Sequence, residues 1–140
     1  MRSSSTTLSD EVQYRQATGL TGYLGGQHGV GPSLAKSHVL VLPCYREGMP
    51  RTALEAASMG RPAFVTDVPG CRQAVVDGET GWLCKVRDAE SLAACMTACL
   101  DMSSDQLAEA GRAARRRIEN EFDERIVIQA ALDCLDRAVP

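Results

Sequence analysis

The sequence contains no long apolar segment and no strong excess of charge of either sign. No apolar run approaches the roughly 18–20 residues that a membrane-spanning helix needs, and residues 1–7 lack the apolar core of a secretory signal. Lysine and arginine (15) nearly balance aspartate and glutamate (18), for a net charge of −3. This balance argues against a basic nucleic-acid-binding surface, so we expect no nucleic-acid partner.

The six cysteines form no C-x-x-C pair and are irregularly spaced. That pattern argues against the dense disulfide framework of a small secreted domain and offers no cluster of metal ligands. Cys95 and Cys99 are four residues apart, so on a helix they share a face with Leu92 and Met96, as small buried apolar residues do. We therefore expect no metal site and a reducing, cytoplasmic environment.

The 140 residues suffice for one domain with a hydrophobic core but not for two. Apolar residues make up 44% and charged residues 24%, which is typical of a soluble globular protein. The polar serine and threonine stretch 1–8 is predicted to be disordered. Residues 9–140 are predicted to form a single unit.

Short apolar runs alternate with helical patterns along this unit. Runs at 20–24, 38–42, 63–66 and 82–86 are predicted to be strands, with 38–42 buried on both faces. Helices are predicted at 10–17, at 33–36 with Ser33 as its cap, at 50–59 with Gly60 as its stop, and at 71–76 after a turn at 68–70. Such alternation implies βαβ crossovers and a parallel sheet.

Three helices are predicted after the last strand. Asp88 is the expected cap of the first, and Ser103 with Gln106 forms a capping box for the second. The expected inward residues are Leu107, Ala110, Ala114 and Ile118 in the second helix and Phe122, Ile126, Ala130 and Cys134 in the third. The expected fold class is α/β, a partial doubly wound (Rossmann-like) sheet with a helical tail.

Four arginines, at positions 112, 115, 116 and 117, lie opposite the apolar face of the second tail helix. Such a cluster is typical of a solvated helix face. The alternative is attraction to acidic lipid, which would bring the protein into peripheral contact with the inner face of the membrane.

The segment 42–56 carries the chemistry of interest, because a buried strand ends there and a helix begins. In open α/β sheets, ligands bind at the carboxyl ends of the strands. Pro50 suits the first helical position, and the first N–H groups, near Arg51, Thr52 and Ala53, have no partners within a helix. With the helix dipole they favour an anion such as phosphate. Gly48 has no Cβ and permits close approach of a ligand.

Two carboxylates flank this predicted anion site. Glu47 precedes the helix and Glu55 follows eight residues later. Over a regular helix, eight residues rise about 12 Å and return to nearly the same face. A carboxylate accepts hydrogen bonds from two hydroxyls, as sugar and ribose diols can donate. The spacing therefore suits a nucleotide-sugar, although a pair of exposed glutamates at this spacing also occurs by chance.

Several blocks of sequence, in order, strengthen this hypothesis. The blocks are 45–55, 60–62, 66–72, 77–83 and a tail pattern that includes Asp88, Leu92, Ala93, Gly111, Arg112, Ala114 and Arg115. Together they resemble the second domain of glycosyltransferase family four (group 1), whose members are retaining, nucleotide-sugar-dependent enzymes of the GT-B fold. The resemblance extends from about residue 9 to 137, and the segment 45–52 is similar to that of bacterial members that build surface polysaccharide or lipid-linked oligosaccharide.

The resemblance implies roles for individual residues. Glu47 and Glu55 match the two acids of the family's E-x7-E motif. The first acid contacts the donor sugar, so Glu47 is the expected catalytic residue. The second acid binds the ribose hydroxyls. The turn matching the diphosphate-binding turn comprises Gly48, Met49, Pro50 and Arg51, although Pro50 has no N–H to donate. The segment 22–26 corresponds to the loop near the nucleotide base, and a weaker correspondence places 66–70 on the far side of the cleft. The expected substrate-binding residues are Glu47, Gly48, Met49, Pro50, Arg51, Thr52 and Glu55.

The resemblance also implies partners: a nucleotide-sugar donor, taken to be a UDP-sugar, and a saccharide or lipid-linked acceptor, with no cofactor. Family members are more than twice this length, and the acceptor-binding first domain and the first two strands of the second have no counterpart here. We therefore expect a fragment, completed by a missing N-terminal domain or a second chain. The alternative function is a truncated nucleotide-binding domain without turnover of its own. A related sugar-nucleotide epimerase is not supported, because neither His28 nor His38 matches a catalytic position.

Overall fold

The structure, a computed structural model, describes residues 7–138. This part of the chain holds seven helices and three strands, in an alternating order that ends in three consecutive helices. The helices are α1 (Thr7–Ala17), α2 (Gly31–Ala35), α3 (Arg51–Ser58), α4 (Pro69–Ala74), α5 (Ala89–Leu100), α6 (Ser104–Glu121) and α7 (Glu124–Ala138), and the strands are β1 (Leu40–Leu42), β2 (Ala63–Thr66) and β3 (Gly81–Cys84).

The three strands form one parallel sheet in the order β1-β2-β3. All four residues of β2 are buried because it has a neighbour on each side, and the hydrophobic core lies against it. Phe64 of β2 stacks on Trp82 of β3, with ring centroids 4.8 Å apart. The predicted α/β fold with parallel pairing is confirmed.

The first predicted strand is wrong. Residues 20–24 form no strand, and Leu20 is 85% exposed. The next strand is shorter than predicted, and β1 is half-buried rather than buried on both faces, because it pairs with β2 alone. An apolar run becomes a strand only where a neighbour satisfies its backbone groups, and within residues 7–138 the segment 20–24 has no such neighbour.

The N-terminal boundaries also differ from prediction. Helix α1 begins at Thr7, so residues 7 and 8 are helical rather than disordered; residues 1–6 lie outside the described part of the chain. Ser33 does not cap the next helix as predicted, because α2 begins at Gly31 and its N-terminal cap is Val30.

Helix α3 is stopped where the sequence indicated. Gly60 has φ +66, a conformation that glycine adopts without strain, and the Arg61 N–H donates to the Ala56 carbonyl at 2.8 Å. Helix α6 crosses this turn at close range, since a Cβ on Gly111 would lie 2.1 Å from the Gly60 carbonyl oxygen. The start of α3 is one residue later than predicted: Pro50 is the N-cap in an extended conformation.

The caps of the tail helices are confirmed. The Asp88 carboxylate accepts from the Ser91 N–H at 2.8 Å, and Ser103 and Gln106 form a reciprocal capping box. The inward face of α6 is partly as predicted, with Ala110 and Ala114 buried.

Two predictions about the tail are wrong. No residue of α7 is buried, and the predicted inward residues Ile126, Ala130 and Cys134 are exposed. Cys95 and Cys99 of α5 are half-buried rather than buried. Apolar periodicity identifies the face of a helix that can be buried, but it does not supply the surface that buries it.

The arginine cluster of α6 is largely paired with acids of the same helix. Arg112 and Arg116 both contact Glu109, in keeping with the predicted solvated face. Arg117 departs from it: its side chain is only 18% exposed, pairs with Glu121 and donates to the Gln73 carbonyl at 2.7 Å. Among residues 7–138, no helix combines the length and the apolar character needed to cross a membrane.

Candidate functional site

The loop between β1 and α3 lies at the carboxyl edge of the sheet. Its residues Glu47, Gly48 and Met49 are exposed, and Pro50 behind them is buried. The burial of Pro50 anchors the loop where the helix begins, which leaves the three preceding residues facing solvent. The sequence prediction of a strand, a loop and a helix start at this point is confirmed in outline.

The N-terminus of α3 presents two backbone donors. The N–H groups of Arg51 and Thr52 have no hydrogen bond within residues 7–138, whereas the Ala53 N–H, predicted to be free, donates to the Pro50 carbonyl at 3.0 Å. The side chain of Arg51 is exposed and that of Thr52 half-buried. Two unpaired amides and the positive end of the helix dipole can receive an anion.

Glu47 and Glu55 are both exposed, and neither carboxylate has a hydrogen bond or ion pair within the described residues. The helical argument for a shared face is wrong, because residues 47–50 are not helical. Only Arg51 and Glu55, four residues apart within α3, share a helix face by periodicity, with a rise of about 6 Å. How Glu47 and Glu55 approach one ligand therefore depends on the loop.

Helix α4 packs against that loop. A Cβ on Gly70 would lie 1.3 Å from the Gly48 carbonyl oxygen and 2.4 Å from that of Glu47, so the two backbones are in direct contact. The next residue, Cys71, has its Sγ 3.5 Å from the Sγ of Cys44. These contacts hold the loop residues 44–48 against helix α4.

An open cavity of about 480 Å³ lies beside the loop, at the ends of all three strands. Thr66, at the end of β2, lines it, and the Thr66 hydroxyl accepts from the Cys44 N–H at 2.9 Å. Residues 67–70, which were predicted with Thr66 to lie on the far side of the donor cleft, do not line this cavity. None of the predicted site residues lines this cavity, whose other walls are Pro43, Cys44, Tyr45, Cys84, Lys85, Arg87, Asp88, Ala89 and Leu92.

Two cationic residues at this cavity were not predicted. Lys85 and Arg87 follow β3, and the Arg87 guanidinium lies over the Tyr45 ring at 5.5 Å. Arg87 has φ +58, an uncommon conformation for a residue with a side chain. Their position just after a strand end was the signal in the sequence that could have identified them.

The charges around α4 are locally paired. Asp67 accepts from the Arg72 Nε at 2.5 Å, and this hydrogen bond lowers the pKa of the Asp67 carboxyl. Burial raises the pKa of the Cys71 thiol to about 12, with a further contribution from Cys44. Within residues 7–138 there is no group of three or more metal-ligating side chains.

The chain matches the family described as "Glycosyl transferases group 1" over residues 3–102. A Campylobacter jejuni enzyme, N,N'-diacetylbacillosaminyl-diphospho-undecaprenol alpha-1,3-N-acetylgalactosaminyltransferase, is 30% identical over 122 residues, which are 87% of this chain and 32% of that protein. The Staphylococcus aureus capsular polysaccharide biosynthesis glycosyltransferase CapM is 32% identical over 91 residues, covering 64% of this chain and 23% of CapM.

Among solved structures, that of Anabaena Alr3699/HepE in complex with UDP superposes with a TM-score of 0.82 at 20% identity, over 92% of this chain and 36% of that one. This likeness confirms the fold class. The chain spans about a third or less of the length of the two curated relatives. From the match over residues 3–102 and the identity with the Campylobacter enzyme it follows that the chain belongs to the group 1 family of glycosyltransferases.

Proposed function

We propose that this chain is the donor-binding part of a retaining glycosyltransferase, which transfers a sugar from a UDP-sugar to a saccharide or lipid-linked acceptor in bacterial surface polysaccharide biosynthesis. Family membership supports the reaction class. The UDP complex of Alr3699/HepE supports the nucleotide, and the capsule and undecaprenol-linked products named for the two relatives support the acceptor class.

The observation that carries the proposal is the N-terminus of α3. The free N–H groups of Arg51 and Thr52 stand at the carboxyl edge of the sheet, with exposed carboxylates before and after them at Glu47 and Glu55. Amide donors at a helix start suit the diphosphate. Acceptor-only carboxylates suit the hydroxyls of the two sugars that the diphosphate joins.

Each site residue then has a role. Glu47 contacts the donor sugar and holds it for attack, and Glu55 accepts from the ribose hydroxyls. Gly48 allows the diphosphate to approach the backbone, while Met49 and Pro50 shape the turn. The amides of Arg51 and Thr52 stabilise charge on the departing diphosphate, which is the largest electrostatic demand of the reaction. We propose that no metal or other cofactor takes part.

Transfer also needs an aligned acceptor and exclusion of water. In a two-domain enzyme, these come from closure of a cleft over the donor. We propose that a missing N-terminal domain or second chain provides that half, and that the residues 1–140 alone bind donor without turnover. The protein acts in the cytoplasm, with the lipid-linked acceptor at the inner face of the membrane.

Replacing Glu55 by alanine tests the ribose contact. We expect isothermal titration calorimetry to detect binding of UDP to the purified chain. E55A should reduce the affinity by a factor between about 10 and 100, because a hydrogen bond to a charged group contributes roughly 1.5–3 kcal/mol. The matched control is E124A, which removes an exposed glutamate of α7. It should leave the affinity unchanged.

We expect a working donor site to bind nucleotide with a dissociation constant no weaker than about 1 mM. Absence of a heat signal at that nucleotide concentration would contradict such a site. Equal affinities of E55A and the unsubstituted chain refute the ribose role alone. GDP in place of UDP shows whether the base is discriminated.

The second candidate is a nucleotide-binding domain that never takes part in transfer. It is favoured by the exposed segment 20–24, which has no strand partner within residues 7–138. A product assay separates the two: mixing the chain with UDP-sugar, acceptor and a separately produced first domain should yield glycosylated acceptor. UDP binding without product under those conditions favours the second candidate.

A further inference from the structure

Two thiols face each other between the loop 43–50 and helix α4. The Sγ atoms of Cys44 and Cys71 are 3.5 Å apart, although the residues are 27 positions apart in the chain. Cys44 is half-buried and lines the 480 Å³ cavity, so a small molecule in the cavity can reach it. Cys71 is fully buried, so it is not exposed to reagents in solution.

The backbone around this pair is already held in place. The Cys44 N–H donates to the Thr66 hydroxyl, and Gly70, next to Cys71, is in contact with the carbonyls of Glu47 and Gly48. A disulfide needs its sulfur atoms about 2.05 Å apart. The sulfur atoms must therefore approach by about 1.5 Å for the bond to form.

The other described cysteines have no sulfur atom at hydrogen-bonding distance. Cys84 lines the same cavity but is buried within β3, and the Cys95 thiol faces the Leu83 carbonyl at 3.9 Å. Cys134 is exposed on α7, where no residue is buried. Of the sulfur pairs at hydrogen-bonding distance in residues 7–138, Cys44 and Cys71 form the single one.

We propose that Cys44 is a site of thiol–disulfide exchange, that Cys71 resolves it, and that the resulting disulfide ties the loop 43–50 to α4. Formation of the bond does not depend on the proposed function, because it requires only the two thiols and an oxidant. The oxidant is a low-molecular-weight disulfide that enters the cavity.

The exchange takes place in two balanced steps. The Cys44 thiolate attacks one sulfur of the small disulfide, whose S–S bond breaks; a mixed disulfide forms on Cys44 and one small thiol leaves, taking up the proton that Cys44 lost. The Cys71 thiolate then attacks the Cys44 Sγ and displaces the second small thiol, which takes up the proton from Cys71. Two protein thiols are oxidised and one small disulfide is reduced to two thiols.

Burial raises the pKa of the Cys71 thiol to about 12, so this thiol is a poor nucleophile toward reagents in solution. Its advantage is proximity, because the Cys44 sulfur is already in contact with it. Because the exchange consumes a small disulfide, both thiols persist in a reducing medium. The protein disulfide forms when small disulfides accumulate.

The test uses glutathione disulfide on the folded chain, followed by quenching in acid, alkylation of free thiols in denaturant and digestion with trypsin. Cys44 falls in the tryptic peptide 37–46, and Cys71 in 52–72, because trypsin does not cleave between Arg61 and Pro62. We expect mass spectrometry to find these two peptides joined, and to find them separate after treatment with dithiothreitol. The same reaction in urea should give mixed pairings, since the selectivity comes from the fold.

The variant C71S should stop at the mixed disulfide on Cys44, whereas C134S, the matched control on α7, should still give the joined peptides. If C71S does not fold, the unsubstituted chain decides. Cys44 and Cys71 both alkylated after oxidation, both carrying glutathione, or either joined to a different cysteine in the folded protein would each overturn the proposal.

Discussion

At the scale of single residues, Gly70 sets the position of the loop that carries Glu47 and Gly48. Its lack of a side chain allows α4 to touch the carbonyls of both residues. The sequence indicated a turn at Val68, Pro69 and Gly70, but not this contact with a loop more than twenty residues earlier. Close approach of two backbones depends on tertiary structure, so no local pattern reveals it.

Replacing Gly70 by alanine should therefore displace the loop and destabilise the fold. A Cβ at 1.3 Å from the Gly48 oxygen cannot be accommodated by a flexible side chain, because the clash is with backbone. We expect a loss of about 1–3 kcal/mol in the free energy of unfolding, measured by urea denaturation, as for other overpacking substitutions.

The matched control for that substitution is G22A. Gly22 has no atom within 4 Å of its would-be Cβ and does not have a positive φ. Its replacement should change the free energy of unfolding by less than about 0.5 kcal/mol. Equal stabilities of G70A and G22A would show that α4 does not press against the loop.

At the scale of elements, local patterns predicted the parts of the fold that depend on nearby residues. Strand β2, the glycine stop after α3 and the capping box of α6 are where the sequence placed them. Strand 20–24 and the inward face of α7 were wrong, because both require a distant partner surface. In the candidate site, the free Arg51 and Thr52 amides follow from the helix start, whereas the cavity lined by Lys85 arises from the meeting of three strand ends.

The start of α7 provides a pH-dependent test at this scale. Asp123 accepts from the Arg125 side chain and from the Arg125 N–H, and these bonds lower the pKa of its carboxyl to about 2. Since its pKa in the unfolded chain is about 3.9, the stabilisation is fully present above that value. It is lost as the pH falls through about 2.

An NMR titration of the Asp123 side-chain carbon measures this pKa directly. The expected midpoint is well below that of an ordinary aspartate, and R125A should raise it. A midpoint near 4 in the unsubstituted chain would mean that the Arg125 contacts do not hold the start of α7.

At the scale of the whole molecule, helix α7 lies outside the buried core. The core lies around β2, α3 and α4, and α6 closes it through Gly111 and Ala114. Helix α7 carries exposed apolar side chains, Val127 among them at 70% exposure. The stability of the sheet should therefore depend on α6 but not on α7.

Removing residues 124–140 should shift the midpoint of thermal unfolding by less than about 4 °C, because no residue of α7 is buried. Circular dichroism follows the transition. Removing residues 104–140 is the comparison: it also takes away the buried residues of α6, and we expect this chain not to fold cooperatively. Similar behaviour of the two truncated chains would contradict this division.

The proposed function requires that the start of α3 bind a nucleotide-sugar. The most direct measurement is an amide NMR titration of the labelled chain with UDP-glucose. We predict that the largest shifts fall on the amides of Gly48, Arg51 and Thr52. Shifts confined to a different surface, such as the separate cavity beside Gly78 and Glu79, or no shifts at all, would contradict the account.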